Sequence, residues 1–84
     1  MNEWQPLQTF AQVYLTLPRF LTDRFCECFI FTGETQSGGH IFWLYQQITS
    51  HRSLNLDREG HPYEQCEGMY IPTTAQAALH HIDS

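Results

Sequence analysis

The chain contains no lysine, and its four basic side chains are all arginines, set against nine aspartates and glutamates. The formal charge at pH 7 is therefore −5. Sequence-independent nucleic-acid binding draws its affinity from lysines and arginines that neutralise phosphates, and anchoring on an anionic membrane needs a polybasic segment. The composition predicts neither direct contact with nucleic acid nor attachment to a membrane.

The chain also lacks an apolar run of the roughly 20 residues that cross a bilayer as a helix. Its first residues, from Met1 to Trp4, show neither the basic start nor the apolar stretch of a secretory signal. It has three cysteines, whereas small secreted scaffolds usually carry an even set of four or more. These absences predict a cytoplasmic protein whose thiols are reduced.

What the chain does contain is enough apolar material to fold. Hydrophobic residues make up 42% of it and aromatic residues 14%, which is too apolar for a disordered chain. A length of 84 residues corresponds to one domain, so we expect a single small domain over residues 1–84. Its stability should be marginal, because hydrophobic burial and conformational entropy nearly cancel at this size, and a partner or second copy would add to it.

Apolar residues at steps of three and four predict a helix over residues 6–17. The stripe consists of Leu7, Phe10, Tyr14 and Leu17. Pro6 suits the first helical turn. Pro18 disfavours helical geometry in the residue before it, so we expect this helix to end there and a short second helix to cover residues 18–24.

The period changes at residue 25, where aromatic and β-branched residues take over. Residues 25–32 and 40–49 are predicted to pair as an antiparallel hairpin around the glycine-rich segment 33–39. A weaker second hairpin is predicted from residues 53–57 and 63–71, joined by a turn in which Asp57 and Gly60 fit type I chemistry. A last helix follows Pro72, where Thr73 or Thr74 can cap its start.

These elements predict an α+β fold, with an antiparallel sheet of three or four strands and helices at the N- and C-terminal ends. The connections between strands are too short for the crossovers of a parallel sheet. The side chains expected to be largely buried are Phe10, Tyr14, Phe29, Phe31, Leu44 and Leu79.

The first hairpin is apolar on both sides, unlike a sheet with one solvated face. In its second strand Phe42 and Leu44 lie on one side, and Trp43 and Tyr45 on the other. One interpretation is that each terminal helix covers one face. The other is that the Trp43/Tyr45 side stays partly open and contacts a partner or a second copy as a homodimer. Helices of about 18 Å, too short to cover two faces, favour the second.

Four carboxylates fall within eleven residues of the second hairpin, against a single cation, Arg58. Such a segment is either a solvated turn or an acidic patch that steers a basic partner surface towards the protein. With the aromatic pair, the predicted partner-binding residues are Trp43, Tyr45, Asp57, Glu59, Glu64 and Glu67.

No cofactor is expected, although two kinds of chemistry remain as alternatives. Cys26, Cys28, Cys66 and His61 could ligate a metal, but a Cys-x-Cys pair in a strand sets its thiols about 7 Å apart, which is long for tetrahedral zinc. Cysteines that pack as small apolar side chains are the simpler interpretation. A cysteine nucleophile activated by a histidine is the other alternative, and no motif supplies a third, orienting residue for it.

The sequence therefore predicts a small protein-binding module without catalytic activity, an acidic inhibitor or adaptor. The sharpest form of this hypothesis is an inhibitor of the phage-encoded, anti-defence type, whose acidic surface occupies the nucleic-acid-binding groove of another protein. This is an analogy of size and charge, and no family resemblance accompanies it.

Overall fold

A computed structural model describes residues 5–83 of the chain. Its elements are α1 (Pro6–Thr9), a π-helical segment (Phe10–Tyr14), α2 (Arg19–Glu27), β1 (Phe29–Ser37), β2 (His40–Gln47), β3 (Ser53–Leu56), β4 (Pro62–Cys66), β5 (Met69–Pro72) and α3 (Ala75–Asp83). The strands form one antiparallel sheet in the order β1-β2-β3-β4-β5. The α+β class is confirmed, with one strand more than the upper prediction. None of the helices in this range is both apolar and long enough to cross a bilayer.

The first helix widens into π geometry before it stops. The backbone N–H of Leu15 donates to the carbonyl of Phe10 at 3.1 Å, and that of Leu17 donates to Ala11 at 3.0 Å. These bonds reach beyond the four-residue spacing of an α-helix. Thr16 then takes a positive φ of 52°, which ends the helix.

The second helix is longer than the sequence suggested and includes part of the expected first strand. It begins after Pro18 and runs to Glu27, so residues 25–28 belong to a helix and its end. The hydroxyl of buried Thr22 donates to the carbonyl of Pro18 at 3.1 Å and reaches that of Leu17 at 3.3 Å, which holds the start of this helix. Phe25 packs against the core from the helix, so its aromatic ring gave no reliable sign of a strand.

The first hairpin forms as predicted from β1 and β2, but its turn is shorter than the predicted loop. Gly38 and Gly39, with φ of 57° and 82°, are its two central residues. Positive φ at both positions is the conformation that two-residue hairpin turns favour. β1 therefore continues through residues 33–37.

A bulge interrupts the pairing of β1 with β2. Phe31 pairs with Tyr45 and Gly33 with Leu44, so Thr32 is the extra residue. The Thr32 hydroxyl donates to the carbonyl of Leu44 at 3.0 Å. Bulges of this kind bend a strand and increase its twist.

The second predicted hairpin is a three-stranded meander. After the expected turn at residues 57–60, the chain reverses again at Glu67 and Gly68, whose φ angles are 53° and 81°. Gly68 therefore does not lie inside a single strand over residues 63–71, as the sequence predicted. It completes a second two-residue turn, and this turn produces the fifth strand.

The helices all contribute to a core on one face of the sheet. That core comprises Leu7, Phe10, Phe29, Tyr45, Leu54, Leu56, Ala78 and Ile82. The expectation that each terminal helix covers one face is wrong, because the helices all lie on the Trp43/Tyr45 side. On that side Tyr45 is covered and Trp43 stays partly exposed, and contact of this side with a partner remains a prediction. Leu56 pairs with Trp43 and Leu54 with Tyr45, which makes this side the broader apolar surface, whereas Asn55 interrupts the other.

The opposite face is open along β1, where Ile30 is exposed, and is covered around Phe42 by the curl of the sheet itself. Phe42 is only 3% exposed although it points away from the core. The ring of Tyr70 stacks on it at a centroid distance of 4.6 Å, and the ring of Tyr63 meets it edge-on at 4.8 Å. Aromatic side chains from β4 and β5 thus take the place of a second helical layer.

The predicted core is correct in part. Phe10 and Phe29 are buried, whereas Tyr14 and Phe31 are exposed. Leu44 and Leu79 are half-buried. Phe31 touches the ring of Tyr45 at 5.6 Å, but its place on the first strand of the sheet leaves its outer side uncovered.

Gly60 packs closely against the first helix from the turn after β3. A β-carbon at this position would lie 2.8 Å from the backbone nitrogen of Phe10, 2.9 Å from Cβ of Thr9 and 3.0 Å from the carbonyl oxygen of Pro6. Two of these atoms belong to the backbone and cannot rotate away. The contact therefore requires glycine.

We expect Gly60→Ala to lower the free energy of unfolding by about 3 to 4 kcal/mol, from overpacking added to backbone strain. Gly68→Ala is the matched control, because its φ of 81° is nearly that of Gly60 at 82° and its added β-carbon meets nothing within 4 Å. It should cost about 1 kcal/mol. Urea unfolding followed by tryptophan fluorescence measures both, and equal losses would contradict the steric account.

Candidate functional site

Tyr45, one of the predicted partner-binding residues, lies beneath the helices. It is 4% exposed, and its hydroxyl donates to Oε1 of Gln5 at 3.5 Å. Burial is the main cause that raises the pKa of its phenol. Tyr45 is therefore placed to support the fold and offers no surface. Its neighbour Trp43 packs against the core with one side and remains half-exposed.

A groove between the start of β2 and the turn after β3 brings together three of the predicted residues, Trp43, Asp57 and Glu59. Its volume is about 370 Å³. The other residues that line it are Gly39, His40, Ile41, Arg58 and Tyr63. We call this site the Trp43–Glu59 groove.

The groove exists because β2 is longer than its neighbour β3. β2 has eight residues and β3 has four, and their pairing stops where Trp43 meets Leu56. His40 and Ile41 therefore extend past the end of β3, beside the turn that carries Arg58. These three lining residues were not predicted from the sequence, although the unequal lengths of the predicted segments 40–49 and 53–57 indicate that one strand extends past the other.

Asp57 holds the turn that forms one wall of the groove. Its Oδ1 accepts hydrogen bonds from the backbone N–H groups of Glu59 and His61, both at 2.9 Å, and its Oδ2 accepts one from the Tyr63 hydroxyl at 3.1 Å. Burial first, and then the charge of Asp57, raise the pKa of Tyr63. Asp57 therefore stiffens the turn, and the Glu59 side chain remains exposed beside it.

The other two predicted carboxylates lie outside this groove. Glu64 lines a second groove of about 360 Å³, beside α3, with Cys66, Ala77 and His81. Glu67 is exposed in the turn between β4 and β5. The four carboxylates thus do not converge on one pocket, and two of them sit beside Trp43.

The alternative metal site finds little support in the arrangement of the chain. Cys26 and Cys28 lie at the end of a helix and not in a strand, and Cys66 ends β4. The His61 ring packs edge-on against Tyr14 at a centroid distance of 5.6 Å. Within residues 5–83, there is no group of three or more His, Cys, Asp or Glu side chains that could hold a metal ion.

The thiol nearest the core is poorly suited to nucleophilic chemistry. Burial, with a smaller contribution from the charge of Asp23, raises the pKa of Cys26 from 9.0 to about 11. The thiolate is the nucleophilic form, so little of it exists at neutral pH. Cys28 and Cys66 are exposed, and all three cysteines are free thiols.

Comparisons with known proteins give no relative. No protein-family model matches the chain, and no significant match was found among curated proteins or among solved structures. The site must therefore be interpreted from its own geometry.

We expect Asp57→Ala to lower the free energy of unfolding by about 2 kcal/mol, because three hydrogen bonds to a half-buried carboxylate are lost. Glu59→Ala, in the same turn but exposed, should change it by about 0.5 kcal/mol or less. Urea titrations at pH 7 measure both.

The raised pKa of Tyr63 also means that its stabilising contribution is complete below pH 10.0 and is lost as the pH rises through the folded-state pKa. A Tyr63→Phe protein whose stability falls as steeply as wild type above pH 10 would contradict this.

The raised pKa of Cys26 predicts slow alkylation. At pH 8 its thiolate fraction should be about a hundredfold below that of an unperturbed thiol, and its greater intrinsic nucleophilicity restores about tenfold. Iodoacetamide should therefore label Cys26 in the folded protein about tenfold more slowly than Cys26 in the urea-unfolded chain, as peptide mass spectrometry would show. Equal rates would place Cys26 in contact with solvent and reopen the nucleophile alternative.

Proposed function

We propose that this chain is a small, non-catalytic protein-binding module of the cytoplasm, an acidic inhibitor or adaptor. The observation that carries the proposal is the Trp43–Glu59 groove, where a half-exposed indole lies beside a carboxylate on a stiffened turn. The free state of the three thiols agrees with a reducing compartment.

The groove has the properties of a binding centre. Tryptophan is enriched among the residues that dominate interface energies, and Trp43 is held against the core by its buried side. The hydrogen bonds of Asp57 order the turn before binding, which reduces the entropy lost on association. Glu59 then supplies the charge that an arginine or lysine of the partner would meet.

The partner in this proposal carries a basic surface. The net charge of −5 and the absence of lysine favour association with a positively charged protein through electrostatic steering. A nucleic-acid-binding protein has such a surface, so an inhibitor of the anti-defence type remains the sharpest form of the proposal. Glu64 and Glu67, outside the groove, would accelerate the encounter without touching the anchored partner.

The test compares variants for binding to a labelled arginine-rich peptide and to a purified basic DNA-binding protein. Trp43→Ala and Glu59→Lys should each weaken binding at least tenfold, equivalent to about 1.4 kcal/mol. Asp23→Lys makes the same charge change on α2, away from the groove lining, and should weaken binding about twofold. The double variant Glu64→Lys/Glu67→Lys should slow association and leave the dissociation rate nearly unchanged.

Two results would contradict the proposal. Equal losses for Glu59→Lys and Asp23→Lys would mean that only net charge acts. Unaltered binding by a folded Trp43→Ala protein would mean that the groove is not the contact surface. Circular dichroism of each variant confirms folding.

A further inference from the structure

The two outer strands of the sheet differ sharply in length and protection. β5 has four residues and ends at Pro72, and short strands and prolines are common means of preventing edge pairing. β1 has nine residues with a single charge, Glu34, and contains neither proline nor a basic residue. Its bulge at Thr32 can disfavour edge pairing beyond that point, which leaves residues 29–31 as the regular part of the edge. In the described part of the chain no strand pairs with its outer edge.

Two neighbouring apolar side chains are exposed on β1 just before its bulge. Ile30 is 49% exposed on the open face, and Phe31 is 55% exposed on the helix-bearing face. With about 200 Å² for a whole aromatic side chain, Phe31 alone leaves roughly 110 Å² uncovered. Both faces of the strand therefore carry apolar surface at the edge.

The hydrogen bonds of β2 show which backbone groups of β1 point outwards. The N–H of Ile48 donates to the carbonyl of Cys28 at 2.8 Å, and the N–H of Gln47 turns away from β1 to the carbonyl of Arg52 at 2.9 Å. Hydrogen-bonded and non-bonded pairs alternate in an antiparallel ladder, so the Phe29–Gln47 and Phe31–Tyr45 pairs are of the non-bonded type. Phe29 and Phe31 therefore direct their N–H and C=O groups to the free edge.

These outward groups are symmetric about Ile30. We propose that β1 pairs with β1 of a second copy of this chain, antiparallel, around a two-fold axis at Ile30. Phe29 of one copy then lies opposite Phe31 of the other, and four backbone hydrogen bonds join the strands. The two Ile30 side chains meet on the open face as a non-bonded pair, whose Cα atoms lie about 4.5 Å apart.

Self-complementarity and charge favour a second copy as the occupant. The outward N–H and C=O groups of Phe29 and Phe31 are related by the axis at Ile30, so one strand supplies every hydrogen-bond partner that the other requires. The same pairing covers the exposed side chains of Ile30 and Phe31. In this register the two Glu34 carboxylates lie on opposite sides of the axis, about 26 Å apart at 3.3 Å per residue, so the charges on the strand do not oppose pairing.

Sedimentation velocity tests the dimer, which does not depend on the Trp43–Glu59 groove. From 1 to 500 µM, wild-type protein should pass from monomer to dimer. Phe31→Lys and Ile30→Lys should each weaken dimerisation at least tenfold. Met69→Lys changes an apolar side chain of β5 that is 65% exposed and should alter it less than twofold.

Disulfide formation tests the register. In a Cys28→Ser/Cys66→Ser background, Ile30→Cys should cross-link two chains under mild oxidation, because non-bonded antiparallel pairs bring Cβ atoms within disulfide range. Gln36→Cys, on the same strand but about 40 Å from its counterpart in this arrangement, should not. A protein that stays monomeric at every concentration would overturn the proposal. A chain whose β1 edge pairs with an extended segment of another protein, and not with a second copy, would overturn it as well. So would loss of the dimer in Met69→Lys alone, or equal cross-linking at positions 30 and 36.

Discussion

The close contact of Gly60 with the backbone of the first helix is the constraint on which the rest of the packing depends. It brings the turn after β3 against Phe10, which is completely buried there. Tyr14 and His61 meet edge-on across the same junction. The far side of this turn carries Glu59 and forms a wall of the groove. One contact between a turn and a helix therefore supports both the core and the candidate binding surface.

A small α+β chain with helices on one face must still cover the other face of its sheet. Here the cover comes from the last two strands, because the sheet curls far enough for Tyr63 and Tyr70 to reach Phe42. The aromatic side chains that cover this face thus belong to strands of the same sheet. Part of the apolar surface that remains open lies along the β1 edge, at Ile30 and Phe31.

Elements that depend on neighbouring residues could be predicted from the sequence, whereas features that depend on tertiary packing could not. The starts of the helices at Pro6 and after Pro18, the first hairpin and the last helix capped by Thr74 follow from single residues and their neighbours. The end of the first helix at Thr16, before Pro18, does not. The second turn at Gly68 was missed because a lone glycine after a charged residue is a weaker signal than two consecutive glycines. Phe25 was misplaced because aromatic rings suit a buried helix face as well as a strand. Of the residues predicted for the partner surface, Trp43 and Glu59 line a groove whereas Tyr45 is buried. The sequence did not indicate this burial, because both faces of β2 are apolar and the pairing with β3 determines which face the helices cover.

The bulge at Thr32 reverses which residues of β1, odd-numbered or even-numbered, face the helices. Before it, odd-numbered residues such as Phe31 face the helices, and after it even-numbered residues such as Glu34 do. A chain without Thr32 could keep every pairing to β2, because Gly33 would simply follow Phe31 in an unbroken ladder. Such a strand would lose the local bend and extra twist that a bulge adds, while residues 33–37 would keep their present partners and faces. Shortening by a single residue at a solvent-exposed position would thus change the path of the strand without exchanging its faces, which makes strand length, and not only side-chain identity, part of what this fold encodes.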